Sequence, residues 1–149
     1  ADQHQFWAVD AAALKAGSSP SWAQLTISNP GGTWPLKTPS GYTSCGSVRW
    51  TYCPENGSCY AINGNHNSTS LWELAPPSGA TDQAGYLSGT WTITEHTLDT
   101  GIPCGSTGSA TGGTNEPYDR LVWSTADSCL LWFDFWIGNK PVAITPPGI

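Results

Sequence analysis

The stretch CLLWFDFWIGNKP, residues 129–141, places one acidic residue among four aromatic side chains. Side chains of a β-strand point alternately to its two faces, so the stretch can be sorted with a period of two. It predicts a strand over residues 129–137 with a core face and a mixed face. The core face carries Leu131, Phe133, Phe135 and Ile137, and the mixed face carries Leu130, Trp132, Asp134 and Trp136.

Composition favours strands over helices. Charged residues make up only 11% of the 149 residues, while 17 Gly and 12 Pro provide many turns. Long exposed helices need many charged and Ala-like residues, which this chain lacks. We expect residues 1–149 to form a single disulfide-linked domain, mainly β with α+β as the alternative. Its antiparallel sheet should carry a short N-terminal helix packed on one face.

Several segments have recognisable local patterns. AVDAAALKAG, within residues 6–17, has the Ala content and the terminal Gly of a short helix. SLWE, residues 70–73, has capping-box spacing and predicts at most one helical turn before the prolines that follow it. The last residues, TPPGI, are expected to be loosely held. Alternation predicts further strands over 22–28, 47–52, 59–62, 89–98 and 119–125.

Charge and hydropathy exclude two classes of partner. The formal net charge is −6 and Lys plus Arg total five, which argues against binding nucleic acid through its phosphates. No apolar run approaches the roughly 20 residues that cross a bilayer, so no membrane span is expected. The chain begins with Ala1 and contains no Met, which fits a mature secreted product. No motif implies a metal or an organic cofactor.

Cysteines and glycosylation sequons predict an extracellular location. Cys53 and Cys59 enclose the turn-rich segment PENGS, and we expect them to form a disulfide. A second bridge among the remaining cysteines would leave one thiol over. Asn56 and Asn67 begin N-glycosylation sequons in polar segments. The five cysteines are Cys45, Cys53, Cys59, Cys104 and Cys129, with no CxxC pair and no zinc-finger spacing.

The mixed face of residues 129–137 predicts a carbohydrate site. Sugars stack their C–H faces on aromatic rings while a carboxylate accepts hydrogen bonds from neighbouring hydroxyls. Trp132, Asp134 and Trp136 supply both features along one line. Trp34 is a further candidate for the site, because it is a large ring that lies among turn residues. These residues predict a secreted, lectin-like protein that binds a glycan. A homodimer would strengthen weak sugar contacts through multivalency, and the sequence leaves the oligomeric state open.

Three alternatives stay open at this point. Residues 129–137 could form a central strand with both faces covered, in which case Asp134 is buried and paired with an arginine or a backbone amide. The protein could be a small glycoside hydrolase with Asp134 and Glu95 as its acid pair, provided that their carboxyls lie about 5 Å or 6.5 to 9.5 Å apart. It could also be a secreted inhibitor or toxin that contacts another protein through exposed aromatic side chains.

The other tryptophans divide by context. Trp50, Trp91 and Trp123 lie in alternating strands beside Val or Ile, which is typical of core residues. Trp72 has an ambiguous context and is a secondary site candidate. The patterns assign no site role to Trp7 or Trp22.

Overall fold

Strands dominate the architecture of the chain. The computed structural model describes residues 5–32, 48–63, 70–98, 120–133 and 141–149, and the mainly β class is confirmed there. In chain order the elements are β1 (Trp7–Ala8), α1 (Ala11–Lys15), β2 (Ala23–Gln24), β3 (Thr26–Ser28), β4 (Val48–Tyr52), β5 (Cys59–Asn63), β6 (Ser70–Ala75), α2 (Gln83–Ser88), β7 (Thr90–Thr97), β8 (Arg120–Ser124), β9 (Cys129–Phe133) and β10 (Val142–Ile144).

The largest sheet has five strands in the order β3-β7-β6-β5-β4. Strands β4 to β7 form an antiparallel meander, in which Tyr60 of β5 stands opposite Glu73 of β6. Strand β3 joins the far edge in parallel with β7, with Thr26 opposite Thr90. The antiparallel sheet expected from the sequence is therefore present, with one parallel strand added at its edge.

A second sheet, with the antiparallel order β10-β9-β8, encloses the main core against the first. Strand β8 lies beside the edge strand β4, so the two sheets meet along these strands. We call the buried cluster between them the inter-sheet core. The five-stranded sheet and its β4–β5 turn contribute Cys53, Tyr60, Ile62 and Leu71, and the three-stranded sheet contributes Leu121, Leu130, Trp132 and Ile144.

The opposite face of the five-stranded sheet carries a smaller cluster, which we call the N-terminal core. Its buried residues come from β5, β6 and β7, and side chains from the N-terminal segment pack against them. Phe6 meets Trp50 edge to face, with ring centroids 5.5 Å apart. The buried residues of this core are Ala61, Trp72, Leu74 and Ile93.

The predicted N-terminal helix exists but does not pack as expected. Helix α1 begins after Asp10, whose carboxylate accepts hydrogen bonds from the N–H groups of Ala12 and Ala13 at 2.7 and 3.1 Å. None of its residues is buried, and Leu14 is exposed. Residues 7–8 form a strand instead, so Phe6, not the helix, covers the sheet. Neither described helix is long and apolar enough to cross a membrane.

One other local prediction was wrong. Residues 70–73 belong to β6, because this segment is paired on both sides, by β5 and by β7. Tertiary pairing overrides the capping-box signal there. In the tail, residues 145–149 follow β10; Pro146 is buried and the other four residues are exposed, so a loosely held tail stays a prediction.

The expected Cys53–Cys59 disulfide is not confirmed, since both thiols are free in the structure. Cys59 stands opposite Tyr52 in the β4–β5 ladder, whereas Cys53 is the next residue after Tyr52. Adjacent residues of a strand point to opposite faces, so the two sulfurs lie on different sides of the sheet. Cys53 belongs to the inter-sheet core and Cys59 packs against the N-terminal core. Cys129 is also free, and Cys45 and Cys104 lie outside the described residues.

Candidate functional site: an exposed tryptophan face

The structure places Trp132 in the inter-sheet core, with 0% of its surface exposed. It stands opposite Leu121 on the face that meets the five-stranded sheet, while Phe133 on the other face is 39% exposed. The assignment of the two faces of β9 was therefore wrong, although the strand and its period were right. Both faces of residues 129–133 are apolar, so alternation alone cannot say which one is enclosed. Asp134, Trp136 and Trp34 lie outside the described residues.

A different pair of tryptophans is exposed on a two-stranded ribbon near the N-terminus. Strands β1 and β2 are antiparallel, with Trp7 opposite Gln24 and Ala8 opposite Ala23. The pairing continues through a hydrogen bond of 2.8 Å from the Leu25 N–H to the Phe6 carbonyl. Exposed and partly buried side chains alternate along both segments, over residues 5–8 and 22–28, which marks both as extended.

This ribbon presents Trp7, Trp22 and Gln24 on its outward side, and we call these three residues the tryptophan face. Trp7 and Gln24 share a face because they are cross-strand partners, and Trp22 lies two positions before Gln24. The Trp7 side chain is 51% exposed and that of Trp22 is 63% exposed. The inward side of the ribbon is partly buried and is anchored where Phe6 packs on Trp50.

The tryptophan face combines apolar surface with uncharged hydrogen-bonding groups. Each indole offers a flat apolar ring and one N–H donor, and the Gln24 amide can both donate and accept. An indole ring has only two side-chain torsions, so ordering it against a ligand costs little conformational entropy. The arrangement suits a ligand with both apolar faces and hydroxyl groups.

Neighbouring contacts hold the ribbon in place. Asp10, two residues after β1, has its pKa lowered by the hydrogen bond from the Ala13 N–H and by a further one from the Gln83 side chain. Gln83 is the first residue of α2, so Asp10 links the segment after the ribbon to that helix. Helix α2 is in turn joined to β7, because the indole N–H of Trp91 donates to the Tyr86 carbonyl at 2.8 Å.

Glu73 is the centre of a second group of interacting side chains, a polar cluster on the five-stranded sheet. Its Oε1 accepts hydrogen bonds from Ser58 Oγ at 2.7 Å and from the Tyr60 hydroxyl at 3.2 Å. Its Oε2 lies 2.9 Å from His96 Nε2. Burial raises the pKa of Tyr60 to about 12, and the Glu73 carboxylate acts in the same direction, against the hydrogen bond donated by Asn56.

This polar cluster is built to join strands. Both oxygens of Glu73 are already engaged by side chains of the protein, which leaves the carboxylate poorly available for a substrate. Glu95 lies on the other side of the sheet, because it stands opposite Trp72, whereas Glu73 stands opposite Thr94. The Ser70 hydroxyl donates to Glu95. The predicted acid pair of Glu95 with Asp134 stays a prediction, since Asp134 lies outside the described residues.

The Asn56 sequon has a structural role in the same cluster. Its side-chain carbonyl accepts from the Ser58 N–H at 3.0 Å, and its amide donates to the Tyr60 hydroxyl at 2.9 Å. Ser58 is buried and its hydroxyl is used by Glu73. Glycosylation of Asn56 stays a prediction, and Asn67 lies outside the described residues.

No family model, curated protein sequence or solved structure matches this chain. Within the part of the chain that the structure describes, no three His, Cys, Asp or Glu side chains are grouped to hold a metal ion.

The tryptophan face was only partly predictable from the sequence. Residues 22–28 were predicted as a strand, and Trp22 shares its phase with Gln24, Thr26 and Ser28. Because Gln24, Thr26 and Ser28 are polar, their side of the strand could have been predicted to face solvent, and Trp22 with it. Trp7 gave no such signal because its segment was assigned to the helix.

Proposed function

We propose that this protein binds carbohydrate through the tryptophan face. The observation that carries the proposal is that Trp7 and Trp22 are both more than half exposed on one side of the ribbon, with Gln24 on the same side. The ligand class is the same one that residues 132–136 predicted from the sequence, but the proposed site now lies on the β1–β2 ribbon. An extracellular location belongs to the same proposal and rests on the two sequons that begin at Asn56 and Asn67.

Sugar binding explains why such large rings face water here. Exposed indoles lose hydration when a C–H face of a pyranose ring covers them, and burying apolar area contributes about 25 cal/mol per Å². The Gln24 amide then exchanges its hydrogen bonds with water for bonds with ring hydroxyls. Neither step requires a metal, a charge or a nucleophile from the protein.

A glycan array followed by calorimetry on the best ligand tests the proposal. Trp7→Ala and Trp22→Ala should each weaken binding by about 2 kcal/mol, or about 30-fold, as expected for aromatic anchors of a binding site. Both variants should keep their fold, since the removed rings are exposed. Phe133→Ala removes a partly exposed ring from the other sheet and is the matched control, with unchanged affinity expected.

Two outcomes would contradict the proposal. Absence of any glycan ligand, combined with capture of a defined protein partner that requires Trp7 and Trp22, would favour the inhibitor or toxin class. Glycan binding that survives both tryptophan variants but is lost in Asp134→Asn would return the site to the segment first predicted. Release of reducing sugar from a bound polysaccharide would show hydrolysis and reopen the enzyme alternative.

A further inference from the structure

We infer that the ligand of the tryptophan face is an uncharged, extended oligosaccharide contacted through at least two sugar rings. This inference rests on the proposed function and narrows it. It excludes two other kinds of glycan, namely acidic chains carrying carboxylate or sulfate groups and single terminal sugars held in a pocket. The lack of positive charge on the ribbon argues against acidic glycans, and its open shape argues against a single terminal sugar.

The ribbon has no charge on its outward side. The outward residues of 5–8 and 22–26 are Gln, Trp and Thr only, and the inward ones are apolar. Acidic glycans are bound through Lys and Arg, whose bidentate or point-charge contacts supply most of the affinity. The whole chain has a net charge of −6, which repels a polyanion as it approaches. A neutral glycan pays neither cost, because indole and amide groups recognise its rings and hydroxyls directly.

The spacing on the ribbon separates the two indoles into two stacking positions. In an antiparallel ribbon, directly opposed residues are closer than diagonal ones, whose Cα atoms lie about 7 to 8 Å apart. Trp7 is opposed by Gln24, and Trp22 lies two residues before Gln24, immediately before β2 begins, so continuation of the register makes it the diagonal neighbour of Trp7. One pyranose ring covers one indole, so contact with both indoles requires two rings of a chain. Gln24 lies beside Trp7 and along the strand from Trp22, where it can reach hydroxyls of either ring.

The openness of the ribbon disfavours recognition of a single sugar. Sites for small ligands typically bury roughly 70 to 90% of the ligand surface, and this burial provides much of the affinity. Both indoles are more than half exposed and project from a two-stranded ribbon, so a sugar stacked on one of them keeps its other face in water. Affinity must then come from repeating a weak contact along a chain, which favours oligosaccharides.

Titration of neutral and acidic probes at low and high salt tests this inference. The neutral probes are glucose, cellotetraose, N-acetylglucosamine and chitotetraose, and the acidic probes are heparin and alginate oligosaccharides. A neutral tetrasaccharide should bind at least about tenfold more tightly than its monosaccharide, with no dependence on salt. Trp7→Ala and Trp22→Ala should each reduce the tetrasaccharide affinity to the level of the monosaccharide.

A charge variant provides the matched control. Thr26→Arg adds one cation next to the tryptophan face, on the same outward side, and leaves Trp7, Trp22 and Gln24 unchanged; it should create salt-sensitive binding of alginate oligosaccharides while retaining the neutral ligand. Tighter binding of an acidic probe by the unmodified protein would overturn the inference and leave the proposed function standing. Equal affinity for monosaccharide and tetrasaccharide would do the same. Binding of no probe in the array or in this series would instead contradict the proposed function.

Discussion

Tyr60 and Glu73 stand directly opposite each other on β5 and β6, and the buried tyrosine hydroxyl donates to the carboxylate at 3.2 Å. Ser58, from the turn before β5, donates to the same oxygen. His96 on β7 faces the other oxygen and, next to a carboxylate, acts as the donor. Glu73 thus connects three strands and a turn through side chains, in addition to their backbone ladders.

We expect Glu73→Ala to destabilise the protein by about 2 to 3 kcal/mol. The substitution leaves two buried hydroxyl groups, those of Ser58 and Tyr60, without their acceptor, and each buried unpaired group is costly. Urea unfolding monitored by tryptophan fluorescence measures the loss. Glu95→Ala is the control, because that exposed carboxylate should cost less than about 1 kcal/mol. Equal losses in the two variants would contradict a connecting role for Glu73.

The free energy of unfolding should fall at alkaline pH because of Tyr60. Its pKa is about 12 in the folded protein, against an ordinary value of 10.0. A folded-state pKa above the unfolded one means that this contribution is complete below pH 10 and is lost as the pH rises through 12. Tyr60→Phe cannot ionise there, so its stability should fall less steeply between pH 10 and 12. Parallel stability curves for the two proteins would contradict the shift.

Replacement of the buried Trp132 should destabilise the fold far more than replacement of the exposed Trp22. Trp132→Ala empties a fully buried position in the inter-sheet core and should cost about 3 to 5 kcal/mol. Trp22→Ala, at an exposed position, should cost less than about 1 kcal/mol. Thermal unfolding of both variants measures the difference. A Trp132→Ala protein of nearly unchanged stability would show that this indole is not enclosed between the sheets.

Cysteine chemistry tests the placement of Cys53 and Cys59 on opposite faces. Peptide mapping without reduction should find no peptide that links these two residues. Burial raises the pKa of the Cys59 thiol, so this cysteine should react slowly with an alkylating reagent in the folded protein and rapidly in urea. A linked Cys53–Cys59 peptide in high yield would contradict the β4–β5 register.

The parts of the fold that could be predicted are those determined by local pattern. The strands at 48–52, 59–63, 90–97 and 120–124 match predicted segments, because side-chain character alternates from one residue to the next along each of them. Residues 70–75 were not predictable in this way. Their outcome depends on pairing with β5 and β7, which are brought together by the fold rather than by the segment itself.

The candidate site was harder to predict because it depends on which faces become covered. Trp132 and Phe133 are neighbours with similar apolar character, yet one is enclosed and the other is partly exposed. That difference arises from the position of the second sheet. On the ribbon, Trp7 is exposed because Phe6 is the residue that turns inward onto Trp50. The residues next to Trp132 and Trp7 in the sequence do not indicate which distant part of the chain covers one face of each strand.

The parallel pairing of β3 with β7 has a consequence for the order of folding. Thr26 meets Thr90, so this contact closes a loop that contains the whole meander from β4 to β6. Long-range contacts of this kind form late, after local hairpins have reduced the entropy of closing the loop. The ribbon leads directly into β3, at the edge of the sheet, and should also be the first part to open and exchange its amide hydrogens. A ligand that bridges Trp7 and Trp22 would therefore slow that opening and stabilise the β1–β2 ribbon against local unfolding.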